Sequence, residues 1–154
     1  MTTMLWRSIA ALFTRVALAT AYLSAVADRF GLWGAPGDPN VGWGDFEHFL
    51  AYTATLNWYW PSSMIPLLGW TATIIEIVLA VLLLAGLFVR EAALASGALL
   101  IIFAASMTAA LGAEAPLSYS VWTAASASFL LAALPIAEIG PSIDRSFRRG
   151  RRAA

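Results

Sequence analysis

Residues 65–88 read IPLLGWTATIIEIVLAVLLLAGLF, 24 positions with a single charged side chain, Glu76. A helix that crosses a bilayer needs about 20 mostly apolar residues. This stretch meets that length, and the lone carboxylate at its centre asks for a reason. Three further stretches have the same character: residues 5–27, 92–113 and 119–136. The chain as a whole agrees with them. It has 154 residues, 60% hydrophobic and 12% charged, where soluble domains run at roughly 45–50% and about 25%. Mean hydropathy is +0.77. The fold class expected is all-α, an integral membrane four-helix antiparallel bundle occupying residues 1–140, with a basic tail over 141–154.

The links between spans are unequal. Val89, Arg90 and Glu91 form a very short link, so spans two and three are antiparallel neighbours. Residues 114–118, with Pro116, join spans three and four. The first link, residues 28–64, is long and opens with Gly31, Gly34, Pro36, Gly37 and Pro39, which favour turns. Asp45 stands where a helix N-cap belongs, and an amphipathic helix is predicted over 46–57, lying against the bundle or in the interface. Trp58, Tyr59 and Trp60 then suit a membrane–water boundary.

The chain has no lysine, and its nine arginines set an orientation. Arg7, Arg90 and the arginines at 145, 148, 149, 151 and 152 fall on one side of a four-span chain. The other side carries Arg29 among Asp28, Asp38, Asp45, Glu47 and Glu114. The excess of positive charge marks the cytoplasmic side. Both termini are therefore expected in the cytoplasm. The tail reads as a topology anchor. Ala25-Val26-Ala27 also fits a signal-peptide cleavage site, and cleavage after Ala27 would leave three spans.

Function classes are excluded by what is missing. With no cysteine, the chain has no disulfide scaffold, thiol relay or thiolate metal site of its own. One histidine does not make a multi-histidine metal or haem site, so no metal is expected. The basic residues do not form a broad face with stacking aromatics, so no nucleic-acid partner is expected. The glycines at 31, 34 and 37 are followed by no Gly-Lys-Ser/Thr and are not a phosphate loop.

Two charges fall deep in spans, Arg15 and Glu76. A charge at such depth costs at least about 2.5–3.5 kcal/mol and normally faces the interior of a bundle. Arg15 shares a helix face with Ala11, Leu18, Ala19 and Tyr22; Glu76 shares one with Gly69, Ala72, Thr73 and Ala80. Tyr119, Thr123 and Ser126 are predicted to line span four in the same way, and Ser106 and Thr108 are the polar positions of span three. Arg15 and Glu76 either neutralise each other as a structural pair, or Glu76 is a protonatable group in a ligand cavity. His48, the residue type that changes charge near neutral pH, lies on the candidate interfacial helix with Tyr52, Thr55 and Tyr59. It is either a second proton relay or an interfacial histidine bonded to the loop. Trp43 and the other tryptophans serve as belt residues or as walls of a flat apolar pocket.

The arginine of span one followed by AVADRFGLWG at 25–34, the loop GWGDFEHF at 42–49, and the segment EIVLAVLLLAGLFVR at 76–90 together resemble the DoxX family of small bacterial membrane proteins. The resemblance runs over about residues 10–135. It implies a four-helix fold, with Arg15 and Glu76 as the family's intramembrane charges. The family is named for a membrane subunit of thiosulfate:quinone oxidoreductase, and relatives are linked to thiol redox stress and to assembly proteins. The absence of cysteine departs from the relatives that handle disulfides. The acidic outer loop argues against an anionic substrate such as thiosulfate.

Three functions are expected on these grounds. One is a redox-linked subunit binding a quinone or other apolar small molecule, with Glu76 and His48 handling protons. Arg15, Tyr22, Trp43, Tyr52, Thr73 and Thr123 would then line the site, and any enzymatic role would be as part of a quinone-linked oxidoreductase. The second is a non-catalytic scaffold holding a protein partner or a second copy, with Arg15–Glu76 as a structural pair. The third is a small proton-coupled transporter. In each the lipid bilayer is itself a partner.

Overall fold

Where each helix stops is decided by a few residues. The first, α1, runs Thr2–Arg29 and ends in a Schellman turn. Gly31 at φ +73° lets Leu32 N–H reach the Ala27 carbonyl and Gly31 N–H reach that of Asp28, both at 3.0 Å. That turn keeps Asp28 and Arg29 helical, two residues past the apolar run. The second, α2, is Phe46–Leu56, opened by Asp45, whose carboxylate accepts the His48 N–H. This is the short helix expected within the first long link. The third, α3, covers Ile65–Ala85 with Pro66 in its first turn and Gly86 in the left-handed conformation at its end.

The computed structural model describes residues 2–144, so the arginine-rich tail at 145–154, expected as an anchor, lies outside the described residues. The remaining helices are α4 (Val89–Leu111), α5 (Glu114–Ser118) and α6 (Val121–Ala133). Short 3-10 turns cover Ser62–Met64 and Ile136–Glu138. Among the described residues there is no strand.

Among the described residues, three helices are long and apolar enough to cross a membrane: Thr3–Arg29, Ser62–Ala85 and Val89–Leu111. The fourth expected span differs. Ser120 takes φ +55° and Leu134 turns extended before Pro135, so the helix is confined to 13 residues, about 20 Å. A hydrocarbon core is about 30 Å thick. The link expected at 89–91 is also corrected: Val89, Arg90 and Glu91 belong to the first turn of α4.

α1 packs on α3, α3 on α4, α4 on α6 and α6 back on α1. Alanines fill the contacts: Ala11, Ala19, Ala80, Ala92, Ala93, Ala125 and Ala132 are all buried beside Leu79, Leu83 and Leu131. Small residues let helix backbones approach closely. Gly97 shows how closely, since a β-carbon there would lie 2.7 Å from the Phe129 ring. The outward faces stay apolar, with Phe13, Leu67, Ile74, Val81, Ile102 and Leu130 exposed. An exposed apolar surface of this extent suits lipid rather than water.

Candidate functional site

Glu76 is 2% exposed, and its partner is Arg29, itself 3% exposed. Arg29 Nη2 donates to Glu76 Oε1 at 2.9 Å. Nη1 lies 2.6 Å from Glu76 Oε2 and donates to Thr73 Oγ1 at 2.8 Å. Thr73 in turn donates to the Gly69 carbonyl at 2.8 Å. Glu76 Oε2 is held by charge at that distance rather than by an aligned hydrogen bond. The contact is thus one charge-assisted hydrogen bond with the second carboxylate oxygen close to the same guanidinium.

The expected Arg15–Glu76 pair is not formed. α1 and α3 run antiparallel, so the later arginine of α1 meets the earlier part of α3. Arg15, 1% exposed, meets the other end. Its Nε donates to Leu83 O at 2.8 Å and Nη2 to Leu84 O at 3.2 Å. Its Nη1 donates to Ile139 O at 3.1 Å and to Pro141 O at 2.8 Å. Leu83 and Leu84 belong to the last turn of α3, where carbonyls lack helical partners and a cation is favourable. Gly86 is required here twice over: it holds φ +67°, and a β-carbon would run into Arg15 and Ser142.

A shell of aromatics covers the Arg29–Glu76 pair. The Arg29 guanidinium carbon stands 3.9 Å from the centre of the Phe49 ring and 5.4 Å from that of Trp43. Cation–π contacts of this kind contribute about 0.5–2 kcal/mol each. Trp43 meets Phe49 edge-on at 5.2 Å and Tyr52 at 5.8 Å. Phe46 continues the layer to Trp70 at 4.5 Å. α2 carries most of this shell and can settle on α3 because residue 69 is glycine; a β-carbon there would strike Leu50. Asp28, also buried, fixes the loop from below by accepting Trp43 N–H on Oδ2 at 2.7 Å. Its Oδ1 and the Nε of Arg29 have no hydrogen-bond partner among the described residues.

The remaining expected site residues separate. Thr73 and Trp43 join the Arg29–Glu76 cluster, and Tyr52 sits at its rim, where burial and then the nearby Tyr119 push its phenol up. Tyr22 is buried in a different network: its hydroxyl is 2.7 Å from Ser96 Oγ, which is 3.1 Å from Ser128 Oγ. These three hydroxyls link α1, α4 and α6. His48 is largely exposed, with Nδ1 2.9 Å from Asp45 Oδ1, and belongs to the cap of α2. The Asp45 carboxyl is held below the usual range, first by the His48 backbone N–H and then by its ring. Thr123, expected to line the interior, is exposed, as are Tyr119 and Ser126. The inward face of α6 is instead Ala125, Ser128, Leu131 and Ala132.

Arg29, which the sequence reading places in the loop, is the cation that pairs with Glu76. The signal was present: Arg15, Tyr22 and Arg29 follow at intervals of seven residues, which places them on one face of a continuous helix. Hydropathy hid it, because the apolar stretch ends at Ala27. Ser96 and Ser128 were also passed over.

Chemically, the cluster is a neutral, sealed ion pair. Glu76 has no exposed oxygen for proton transfer, and Arg29 presents its face to aromatic rings rather than to solvent. Comparison with family models, with curated proteins and with solved structures returns no match.

Proposed function

We propose that the chain is an integral membrane protein of the DoxX type that acts as a non-catalytic scaffold or assembly partner in a bacterial inner membrane. In this reading α1, α3 and α4 cross the bilayer. The short α6 makes the fourth crossing with its flanking turns and a locally thinned bilayer. Arg7, Arg90 and the arginine-rich tail face the cytoplasm. The loop carrying α2 faces outward. One observation carries the choice of scaffold over proton-handling subunit: the deepest acid, Glu76, is engaged on both oxygens by Arg29 beneath Phe49 and Trp43. A pair held this way fixes helix register, and its cost of burial fits a structural device.

A second reading has one observation in its favour. Asp28 Oδ1 and Arg29 Nε, an acceptor and a donor on adjacent residues, are buried without protein partners under an aromatic wall. A quinone-like carbonyl or hydroxyl suits such a place, with Arg29 and Trp43 as its contacts.

Two measurements separate the readings. The chain has no native cysteine, so single cysteines placed at Asn57, Glu114 and Glu91 report sidedness. Labelling of the first two from outside and of the third only after permeabilisation is expected. Mass spectrometry of protein purified in mild detergent, wild type against Glu76→Gln, is then expected to show a protein partner retained in both. A stoichiometric quinone present in wild type and lost in Glu76→Gln would replace the scaffold with the ligand-binding reading.

A further inference from the structure

We infer that the cleft between the start of α4 and the end of α6 is a headgroup site for a phospholipid bearing a primary ammonium, a phosphatidylethanolamine in chemistry. The inference rests on the membrane-spanning reading above. The cleft has a volume of about 110 Å³ and is walled by Leu131, Leu134 and Ile136, with Arg90, Glu91 and Asp144 also lining it. Pockets that enclose a whole organic ligand run from about 300 to 1,000 Å³. This one admits a headgroup and leaves the acyl chains outside, which is the division a bilayer lipid needs.

The charges choose among headgroups. Asp144 is fixed in place, with Oδ1 and Oδ2 receiving the Phe88 and Val89 N–H groups at 2.9 Å each. Each carboxylate oxygen keeps a further lone pair. Arg90 and Glu91 are exposed, and neither has a hydrogen bond or ion pair among the described residues. Among the described residues, one cation and two carboxylates therefore line the cleft, and Asp144 also feels the buried Arg15 guanidinium. A phosphate matches Arg90, and an ammonium with three N–H donors matches Glu91 and Asp144. A choline headgroup carries no N–H to donate. A glycerol headgroup leaves a net negative charge facing two carboxylates, which discriminates against it. The cleft adjoins the α3–α4 turn, at the end of the molecule where Arg7 pairs with Glu138 at 3.0 Å, the end assigned above to the cytoplasmic leaflet.

The test is native mass spectrometry of the full chain released from bilayers holding equal amounts of phosphatidylethanolamine, phosphatidylglycerol and phosphatidylcholine. Wild type, Arg90→Gln and Glu91→Gln are compared, with circular dichroism confirming equal helix content. The expected result is preferential retention of phosphatidylethanolamine by wild type. Arg90→Gln should lower that retention about fivefold, the size of one arginine–headgroup contact at a membrane surface. Glu91→Gln should shift the preference toward phosphatidylglycerol. Equal retention of the three lipids, or no change in Arg90→Gln, overturns the inference. So does displacement of the lipid by millimolar inorganic phosphate, which would make this a site for the free anion. Flotation with the same vesicles keeps the two failures apart. A chain that floats but shows no preference loses only the headgroup site; one that does not float loses the membrane reading as well.

Discussion

α1 buries two arginines on one face, and they are treated in opposite ways. Arg29 meets a carboxylate, Glu76, at 2.6 Å under a lid of aromatic rings. Arg15 is in direct contact with no acid among the described residues, although Asp144 acts on it through space; it spends its N–H groups on four main-chain carbonyls. The first arrangement joins two helices by charge. The second ends a helix and captures the chain that follows α6, using partial charges already present at a helix C-terminus. A buried cation thus does not imply a buried anion. The acid that was on view, Glu76, had been given to the wrong arginine.

The contrast is sharpest when either cation is removed. Arg29→Ala leaves a buried carboxylate without a counter-charge, and a loss of about 3–5 kcal/mol is expected. Unfolding equilibria in mixed detergent would read it. Replacing the pair together, Arg29→Leu with Glu76→Leu, should recover most of that loss, since buried pairs exchanged for apolar residues are often neutral. Additive losses in the double variant would mean that the two side chains do not act on each other.

Arg15→Ala should cost less, about 1–3 kcal/mol, because it strands neutral carbonyls rather than a full charge. Its signature is local: faster amide exchange in residues 139–144 and around Gly86, with α2 unaffected. If α2 loosens as well, the two arginines are one network and the distinction fails.

The smallest effect belongs to the Asp45 cap at the edge of the Arg29 lid. Its carboxyl is held below the ordinary range by His48, so the folded form binds a proton less readily than the unfolded form. The contribution is therefore complete above the unfolded value of about 3.9. It is lost as pH falls through the lower folded value. Amide exchange at residues 47–49 should accelerate only in that acidic range, and Asp45→Asn should flatten the dependence.

Much of this architecture was legible in residue order. The three long apolar helices followed from length and hydropathy, and α2 from Asp45 and the residues after it. The inward faces of α1 and α3 followed from Arg15 and Glu76 themselves, because a charge in an apolar helix must turn inward. The face of α6 was misread for a related reason. Thr123 and Ser126 are polar, but a hydroxyl in a helix can bond its own turn, as Ser126 Oγ does to the Thr123 carbonyl at 2.9 Å. Polarity there sets no orientation. The partners of Arg15 were beyond reach, since Ile139 and Pro141 act through carbonyls that every residue possesses.

Arg15 bonds the carbonyls of Ile139 and Pro141 across 124 and 126 residues of chain. A ribosome delivers the donor long before these acceptors, which follow it by 124 and 126 residues. Until then the guanidinium has only the acceptors of α3 within the protein, and the first helix stands incompletely moored. The fold closes like a clasp, with the step that secures α1 waiting for the segment after α6. Loop closure over so long a separation is slow. A chain halted before residue 139 would hold α1, α3, α4 and α6 without the fastening between Arg15 and the segment after α6.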